Sequence, residues 1–102
     1  MKNILILGAG LASSALIRYL ESNAKEYDWQ LTVGDQDKDL VNHKTCTATR
    51  AIRFDVFDSV QLNVEVENAD VVISMLPAKF HLVVAKSCLH FSRSLIGIVR
   101  VG

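Results

Sequence analysis

Short apolar runs alternate with longer amphipathic segments along the whole chain. The apolar runs cover residues 4–7, 29–33, 51–56, 70–76 and 95–101, and each has the length and composition of a strand. The first run is apolar throughout, which is typical of a parallel strand covered on both faces. Helices are predicted between runs, over residues 11–22, about 37–44 and about 78–89. The apolar face of the first helix is predicted to consist of Ala12, Ala15, Leu16, Tyr19 and Leu20.

Residues 60–67 give two contradictory indications. The even-numbered positions from Val60 to Val66 are apolar and alternate with polar residues, which by itself predicts a strand. However, roughly a dozen residues separate the flanking strands, and a crossover between parallel strands is usually helical. We therefore predict a helix here, capped by Asp58 or Ser59. The complete alternation predicts a three-layer, doubly wound α/β sheet of the Rossmann type, with about five parallel strands in the order 3-2-1-4-5.

Composition and charge exclude several classes of function. Eleven basic residues balance eleven acidic ones with no basic stripe, which argues against nucleic acid as a partner. No apolar stretch approaches the roughly 18 residues that crossing a membrane requires, and the N-terminal run is too short for a signal peptide. Cys46 and Cys88 form no metal or redox spacing, and Arg50 and Arg53 are expected to be solvated. We expect a single cytoplasmic domain over residues 1–102, without a membrane partner or a metal.

The strongest functional motif is the glycine turn, residues 8–13, which joins the first strand to the first helix. Gly8 permits a tight turn, and Gly10 lets the backbone approach a pyrophosphate closely. The helix N-terminus behind them presents unpaired N–H groups and a positive dipole end to the phosphates. Ser13 departs from the Gly or Ala usual at the third position. The motif predicts dinucleotide binding, with a purely structural turn as the alternative.

A carboxylate follows the second strand, at the position where dinucleotide-binding domains hold the adenosine ribose. Asp35 lies there, about 20 residues beyond the glycine turn, and can accept hydrogen bonds from both ribose hydroxyls. Its charge would repel a 2′-phosphate, and Asp37 and Asp39 add to it while only Lys38 offsets it. This pattern favours NAD as the cofactor, with NADP possible. A capping or solvated Asp35 is the alternative, although Asp37 fits the capping role better.

Two further segments follow strands, at the sheet edge where open α/β sheets bind ligands. After the third strand, Asp55 or Asp58 is placed to accept from the amino group of adenine, and a turn with Asp58 as a helix cap explains this segment equally well. After the fourth strand, the backbone of Leu76 and Pro77 is placed to line the pyrophosphate and nicotinamide-ribose side. A proline that only begins the next helix is compatible with that placement. His81 is interpreted as a surface or capping residue rather than a cofactor contact.

With these motifs, residues 1 to about 90 resemble the N-terminal cofactor domain of the saccharopine dehydrogenase family, particularly its saccharopine reductase-like members. The resemblance rests on residues 4–10, 54–58 and 80–88, and above all on Ile-Ser-Met-Leu-Pro-x-x-x-His at 73–81. It implies NAD(P)-dependent oxidation or formation of a secondary amine that joins lysine, or its semialdehyde, to glutamate. The cofactor contacts that it implies are Gly8, Gly10, Leu11 and Ala12 at the pyrophosphate, Asp35 at the ribose, Asp55 and Val56 at the adenine, and Leu76 and Pro77 at the nicotinamide side.

The sequence departs from the family at its C-terminal end. Family members usually continue into a polar segment with Ser and Tyr and then a large substrate domain, whereas Ser94 to Gly102 contains no tyrosine and ends the chain. This predicts either a truncated domain or a reading frame altered near residue 91. In both cases we expect that an amino-acid-type substrate binds only with the missing domain, and that this chain alone is inactive. The run from Leu95 to Val101 would form an uncovered edge strand, which predicts self-association.

Two other functions compete with a cofactor domain of an oxidoreductase. A nucleotide-sensing regulatory module of the potassium-transport type shares the glycine turn and the ribose aspartate. Such modules do not typically carry Leu-Pro after the fourth strand, so Pro77 favours the oxidoreductase. The third interpretation is a scaffold that kept the fold and lost its ligand, because a fold does not establish a function.

Overall fold

The structure, a computed structural model, describes residues 1–10 and 13–97, and strands alternate with helices through both ranges. The elements are β1 (Lys2–Leu7), α1 (Ser14–Tyr27), β2 (Trp29–Asp35), α2 (Lys38–Lys44), β3 (Arg50–Arg53), α3 (Ser59–Glu67), β4 (Val71–Ser74), a 3-10 turn (Ala78–Phe80), α4 (His81–His90) and β5 (Ser94–Gly97). Leu11 and Ala12 of the glycine turn lie outside the described residues, as does the predicted continuation of β5 to Val101.

The five described strands form one parallel sheet in the order β3-β2-β1-β4-β5, which confirms the predicted doubly wound topology. Leu7 at the end of β1 lies opposite Gly34 of β2 and Ser74 of β4, so these three strands end at nearly the same level. After β1 the chain continues to β2 on one side of β1, and after β3 it crosses to β4 on the other side. The strand order therefore reverses between β1 and β4, where doubly wound sheets have their ligand crevice.

Alternate residues of the central strand face two separate hydrophobic layers. Ile4 and Ile6 pack with α1 and α2, whereas Leu5 and Leu7 pack with α3 and α4. All four are less than 10% exposed, so β1 is covered on both faces as predicted. No helix among the described residues combines the length and the apolar character that crossing a lipid bilayer requires. The expected cytoplasmic location stays a prediction.

Helix α1 differs from the predicted helix in its end and in its buried face. Its buried residues are Ile17 and Leu20, and Leu16 packs against the same layer, whereas Tyr19 is 64% exposed. The predicted face is therefore right for Leu16 and Leu20 and wrong for Tyr19. Ile17 and Leu20 lie three residues apart and face the sheet together, while Tyr19 projects about 130° away from their mean direction. The helix also runs five residues further than predicted, because Asp28 closes it in a left-handed conformation (φ 56°) and donates its N–H to the carbonyl of Ala24.

Helix α3 resolves the contradictory segment in favour of a helix. Ser59–Glu67 is helical, and Asp58 caps it by accepting a hydrogen bond from the N–H of Gln61 at 3.1 Å. The apolar positions that suggested a strand divide between two environments, since Val60 is 73% and Val64 48% exposed. The buried residues are Leu62, Glu65 and Val66. The length of the crossover therefore predicted this segment better than the local alternation did.

A buried carboxylate joins α3 to the third strand. The side chain of Glu65 is only 9% exposed, and its two oxygens accept hydrogen bonds from Arg50 at 2.7 and 2.9 Å. The hydrogen bond to Glu65 raises the pKa of Arg50, against a smaller lowering by burial. The side chain of Arg50 is 54% exposed, as expected of a solvated residue, and its ion pair with Glu65 was not predicted from the sequence. The ion pair borders a cavity of about 180 Å³ beneath α3, which Asn3, Gln30 and Thr32 also line near the amino ends of β1 and β2.

A second carboxylate fixes the loop between α2 and β3, which lies where a loop was predicted. Glu21 of α1 accepts hydrogen bonds from the N–H of Cys46 at 2.7 Å and from the hydroxyl of Thr49 at 2.6 Å. Burial raises the pKa of Glu21, but the hydrogen bonds together lower it by a larger amount. The pKa of this carboxyl is therefore below its ordinary value of 4.5. The ionised form of Glu21 therefore holds this loop against α1.

Strand β5 lies at one edge of the described sheet, next to β4. Its Ile96 is 52% exposed. The unpaired backbone groups of an edge strand can pair with another chain. Self-association through this edge stays a prediction.

Candidate dinucleotide-binding site

The glycine turn begins at Gly8, directly after β1. Gly8 has a φ of +101°, a conformation that L side chains rarely adopt. Its N–H donates to the carbonyl of Gly34 at 2.8 Å, which continues the pairing of β1 with β2 by one residue. A Cβ at position 8 would lie 3.0 Å from the carbonyl carbon of Met75. The tight turn and the close approach of the chain after β4 therefore both require glycine at this position, whether or not a ligand binds.

The second glycine is held through its carbonyl oxygen. The oxygen of Gly10 accepts hydrogen bonds from the backbone N–H of Ser13 at 3.0 Å and from the hydroxyl of Ser13 at 2.6 Å. A third donor is the ammonium of Lys44, at 2.7 Å. Ser13, the departure from the usual motif, is 1% exposed and thus bonds within the turn. The approach of Gly10 to a pyrophosphate stays a prediction, as do the roles of Leu11 and Ala12, which lie outside the described residues.

The carboxylate at the end of β2 lies against the glycine turn. Asp35 accepts a hydrogen bond from the N–H of Ala9 at 2.8 Å through Oδ2, and from the N–H of Asp37 at 3.0 Å through Oδ1. The fold thus joins two motifs that lie 26 residues apart in the sequence. Each carboxylate oxygen can accept a further hydrogen bond, so Asp35 can still receive ribose hydroxyls. Asp37 caps α2 by accepting from the N–H of Leu40 at 3.1 Å, as its position predicted.

Beside Asp35, an open cavity of about 240 Å³ lies at the carboxyl ends of β2, β3 and β4. Its lining residues are Asp35, Gln36, Phe54, Val56, Leu76, Pro77 and Phe80. Four predicted site residues therefore meet in one cavity although they come from three different loops. The lining is mainly apolar, and Asp35 and Gln36 are its polar residues. Such a cavity suits a flat heteroaromatic ring beside a hydroxyl-bearing sugar.

Asp55 lies outside the lining of this cavity. Its Oδ1 accepts a hydrogen bond from the N–H of Phe57 at 2.9 Å, which closes a local turn after β3. The carboxylate of Asp58 is likewise engaged in capping α3. Val56, between them, is 4% exposed and does line the cavity. The contact of Asp55 with adenine stays a prediction, and no hydrogen bond or cavity contact in the described structure adds to it.

Aromatic side chains that the sequence analysis did not assign to the site surround the cavity. Phe54 and Phe80 line it, and Phe57 contacts Phe80 edge to face with 5.3 Å between ring centres. Phe57 is 67% exposed. Gln36 is a further lining residue that was missed. The sequence feature that could have identified these aromatic residues is Phe54 and Phe57, which lie on either side of Val56 at the end of a predicted strand. That end of the strand lies at the edge of the sheet where open α/β sheets bind ligands.

The loop after β4 is fixed by a histidine. Nε2 of His81 lies 2.8 Å from the carbonyl oxygen of Leu76, so Nε2 carries the proton and donates to that oxygen. Pro77 lies between them and precedes the 3-10 turn. His81 does not line the cavity. Its bond to Leu76 caps neither the 3-10 turn nor α4, so the capping interpretation is not supported; the bond instead holds the backbone that borders the cavity.

Comparisons of the sequence and of the structure with known proteins identify the same type of domain. Residues 4–95 match the family model described as the saccharopine dehydrogenase NADP-binding domain. A segment of 46 residues is 48% identical to alpha-aminoadipic semialdehyde synthase from Arabidopsis thaliana, covering 45% of this chain and 4% of that protein. The fold matches apo saccharopine dehydrogenase (L-Glu forming) from Saccharomyces cerevisiae with a TM-score of 0.87 and 28% identity, covering 100% of this chain and 22% of that one.

A more distant structure shares the fold alone. A Rossmann-fold NAD(P)-binding family protein from Shigella flexneri matches with a TM-score of 0.77 and 22% identity, covering 93% of this chain and 50% of that chain. By the coverages of the first two relatives, this chain spans 22% of the yeast enzyme, and the matched segment spans 4% of the Arabidopsis protein.

Proposed function

Because the chain belongs to the family of saccharopine dehydrogenase NADP-binding domains, we propose that it is the cofactor-binding domain of an oxidoreductase that acts on a secondary amine. A bound nicotinamide dinucleotide supplies hydride transfer to or from the carbon of a C–N bond. The observation that carries the proposal is the position of Asp35. Its carboxylate is hydrogen-bonded to the glycine turn, and the residue also lines the cavity that Val56, Leu76 and Pro77 line.

The Asp35 acceptors and the apolar lining match successive parts of a dinucleotide. We assign the adenosine ribose to Asp35, whose two oxygens keep free lone pairs. We assign the adenine to the apolar cavity beside Val56 and Phe80, since aromatic and aliphatic side chains bind a flat ring through its faces. The pyrophosphate then belongs at the glycine turn, and the nicotinamide ribose belongs toward Leu76 and Pro77.

The charge around Asp35 supports NAD as the preferred cofactor. The carboxylate accepts two backbone N–H bonds, and Asp37 and Asp39 lie close by in the sequence. A 2′-phosphate on the ribose would bring negative charge toward this group, with Lys38 as the neighbouring cation in the sequence. The family description names NADP. The preference of this chain is therefore proposed from its own residues.

The chain alone is proposed to bind the cofactor without turning over a substrate. Asp35 is the one ionisable side chain among the cavity's described lining residues, and both of its oxygens already bond backbone N–H groups. This lining offers no pair of groups for general acid and base catalysis. We assign the binding of an amino-acid-type substrate, and the proton transfers, to a further domain, since the yeast relative is more than four times as long as the part this chain covers.

Calorimetric titration of the chain with NADH and with NADPH tests the proposal. We expect micromolar binding of NADH, about −8 kcal/mol, and weaker binding of NADPH. Asp35→Asn should shift the ratio of the two affinities toward NADPH by about tenfold, or about 1.4 kcal/mol. Asp39→Asn removes the same charge from the exposed first turn of α2 and serves as the matched control. It should change the ratio much less.

Three results would count against separate parts of the proposal. Binding of neither dinucleotide contradicts cofactor binding by this chain. A preference of the unaltered chain for NADPH contradicts the role given to Asp35 and leaves the family assignment intact. Steady hydride transfer with saccharopine by the 102-residue chain contradicts the proposal that it is inactive alone.

A further inference from the structure

A lysine from a distant part of the sequence reaches the glycine turn. Lys44 is the last residue of α2, and its Nζ lies 2.7 Å from the carbonyl oxygen of Gly10, which precedes it by 34 residues. The backbone and hydroxyl of Ser13 donate to the same oxygen. Three donors exceed the two lone pairs of a carbonyl oxygen, so the donors share this acceptor. The carbonyl of Gly10 is thereby held by the N-cap residue of α1 and by the last residue of α2 at once.

The packing of α2 directs this side chain. Val41 is completely buried in the core layer that α1 and β2 share, and Lys44 follows it by three residues, on the same side of the helix. Lys44 is half-buried, as expected when a long aliphatic stem packs on apolar surface and its ammonium extends to a polar partner. A cation in the last turn also suits the negative end of the dipole of α2. This second role is structural, and a test has to separate it from any role toward a ligand.

Fixing the carbonyl oxygen has consequences for the backbone at Gly10. A peptide unit is planar, so a bond to its oxygen also fixes the orientation of the unit. Glycine is otherwise the residue with the greatest backbone freedom, and ordering it costs entropy when a ligand binds. A hydrogen bond from an ammonium is stronger than one between neutral groups. In addition, Lys44 brings a positive charge to the turn that dinucleotide-binding domains use for the doubly negative pyrophosphate.

From these contacts we infer that Lys44 is a positioning residue for the pyrophosphate of the dinucleotide: it orders the glycine turn through Gly10 and adds positive charge beside it. This inference rests on the proposed function, because it needs a dinucleotide bound at the turn. It adds a residue from the C-terminal end of α2 to a site otherwise built from the loops that follow the strands.

The test compares three replacements of Lys44 with one matched control. Lys44→Met removes the hydrogen bond and the charge, Lys44→Gln removes the charge and keeps a donor, and Lys44→Arg keeps both. Lys25→Met is the control, because Lys25 also lies in the last turn of a helix, is exposed, and has the same charge. We expect Lys44→Met to weaken NADH binding about tenfold, Lys44→Arg to retain most of it, and Lys25→Met to leave it unchanged.

Two readouts separate positioning from a structural role. The affinity of the unaltered chain for NADH should fall with added salt, and that dependence should be smaller in Lys44→Met and Lys44→Gln but retained in Lys44→Arg and Lys25→Met. In the ligand-free protein, the amide NMR resonances of Gly8 and Gly10 should shift in Lys44→Met and not in Lys25→Met. Urea unfolding of each variant measures the contribution of Lys44 to stability.

The outcomes distinguish this inference from the proposed function. Equal NADH affinity and equal salt dependence in the unaltered chain and Lys44→Met would overturn the inference and leave the proposed function standing. Loss of binding in all three variants, in proportion to their loss of stability, would make Lys44 a purely structural residue. Absence of NADH binding by the unaltered chain would overturn the proposed function and, with it, the inference.

Discussion

Replacing Gly8 by alanine adds a single methyl group where the end of β1 approaches the chain after β4. The new Cβ would lie 3.0 Å from the carbonyl carbon of Met75, 3.1 Å from its oxygen and 3.3 Å from the nitrogen of Leu76. All three are backbone atoms, so a side-chain rotation cannot relieve the contact. The substitution would also hold an L residue at a φ of +101°. We therefore expect Gly8→Ala to destabilise the fold even when no ligand is present.

The magnitude follows from these two effects. A left-handed backbone conformation costs an L residue about 1–2 kcal/mol. An overpacked contact costs about 1–3 kcal/mol when the neighbouring atoms cannot move away freely. Together they predict a decrease of about 2–5 kcal/mol in the free energy of unfolding, against a total of about 5–15 kcal/mol for a domain of this size. The variant should fold, but with a clearly lower urea midpoint.

Urea unfolding, followed by far-UV circular dichroism and by the fluorescence of Trp29, measures this decrease. Gly34→Ala is the matched control, because its Cβ would meet the Cβ of Phe54 at 2.8 Å while Gly34 has no left-handed φ. It should therefore show the packing cost alone, about 1–3 kcal/mol. A Gly8→Ala variant within about 0.5 kcal/mol of the unaltered chain, a change typical of neutral surface substitutions, would refute the reasoning.

Two further variants test the carboxylates that join the helices to neighbouring segments. Arg50→Met leaves the buried carboxylate of Glu65 without its partner and should lower the free energy of unfolding by about 1–3 kcal/mol, whereas Arg53→Met, at the exposed other end of β3, should change it little. Equal effects of these two substitutions in urea would contradict the importance of the ion pair. Because the folded-state pKa of Glu21 is lowered, the group stabilises the fold above its ordinary value of 4.5, and this contribution is lost as the pH falls through the folded-state pKa. Glu21→Gln should therefore be less stable than the unaltered chain at neutral pH, and a difference in unfolding free energy that did not shrink on acidification would exclude this linkage.

The sequence predicted the topology because the rules behind it are local or general. Apolar runs identify strands, and the handedness and length of crossovers leave few ways to connect parallel strands. The N-caps Asp37 and Asp58 were equally accessible, since a cap acts only three residues ahead. The buried face of α1 could not be predicted in this way, because Tyr19 and Ile17 are both apolar in the sequence. Which of them faces the sheet depends on how the helix begins after the glycine turn.

The contacts that complete the site were beyond sequence reasoning for a different reason. The bond from Lys44 to Gly10 spans 34 residues, and the bond from Ala9 to Asp35 spans 26. No periodicity or spacing rule links a helix C-terminus to a carbonyl in a distant turn. The motif for Asp35 identified its position and chemistry, but its use of two backbone N–H donors emerged only once β1 and β2 were paired.

The motif residues and the cavity do not carry equal weight for the function. Gly8 is required by its φ and by the approach of Met75, and Asp35 is held by backbone N–H groups without any ligand. A scaffold that had lost its ligand would need both residues for its fold, so their presence does not exclude such a scaffold. The open cavity that Val56 and Phe80 line is different, because it lies beside Asp35 at the carboxyl ends of the strands, where open α/β sheets bind ligands. Neither the φ of Gly8 nor the backbone bonds of Asp35 require a cavity at that place. The position of the cavity therefore supports the proposed dinucleotide binding more directly than the glycine motif does.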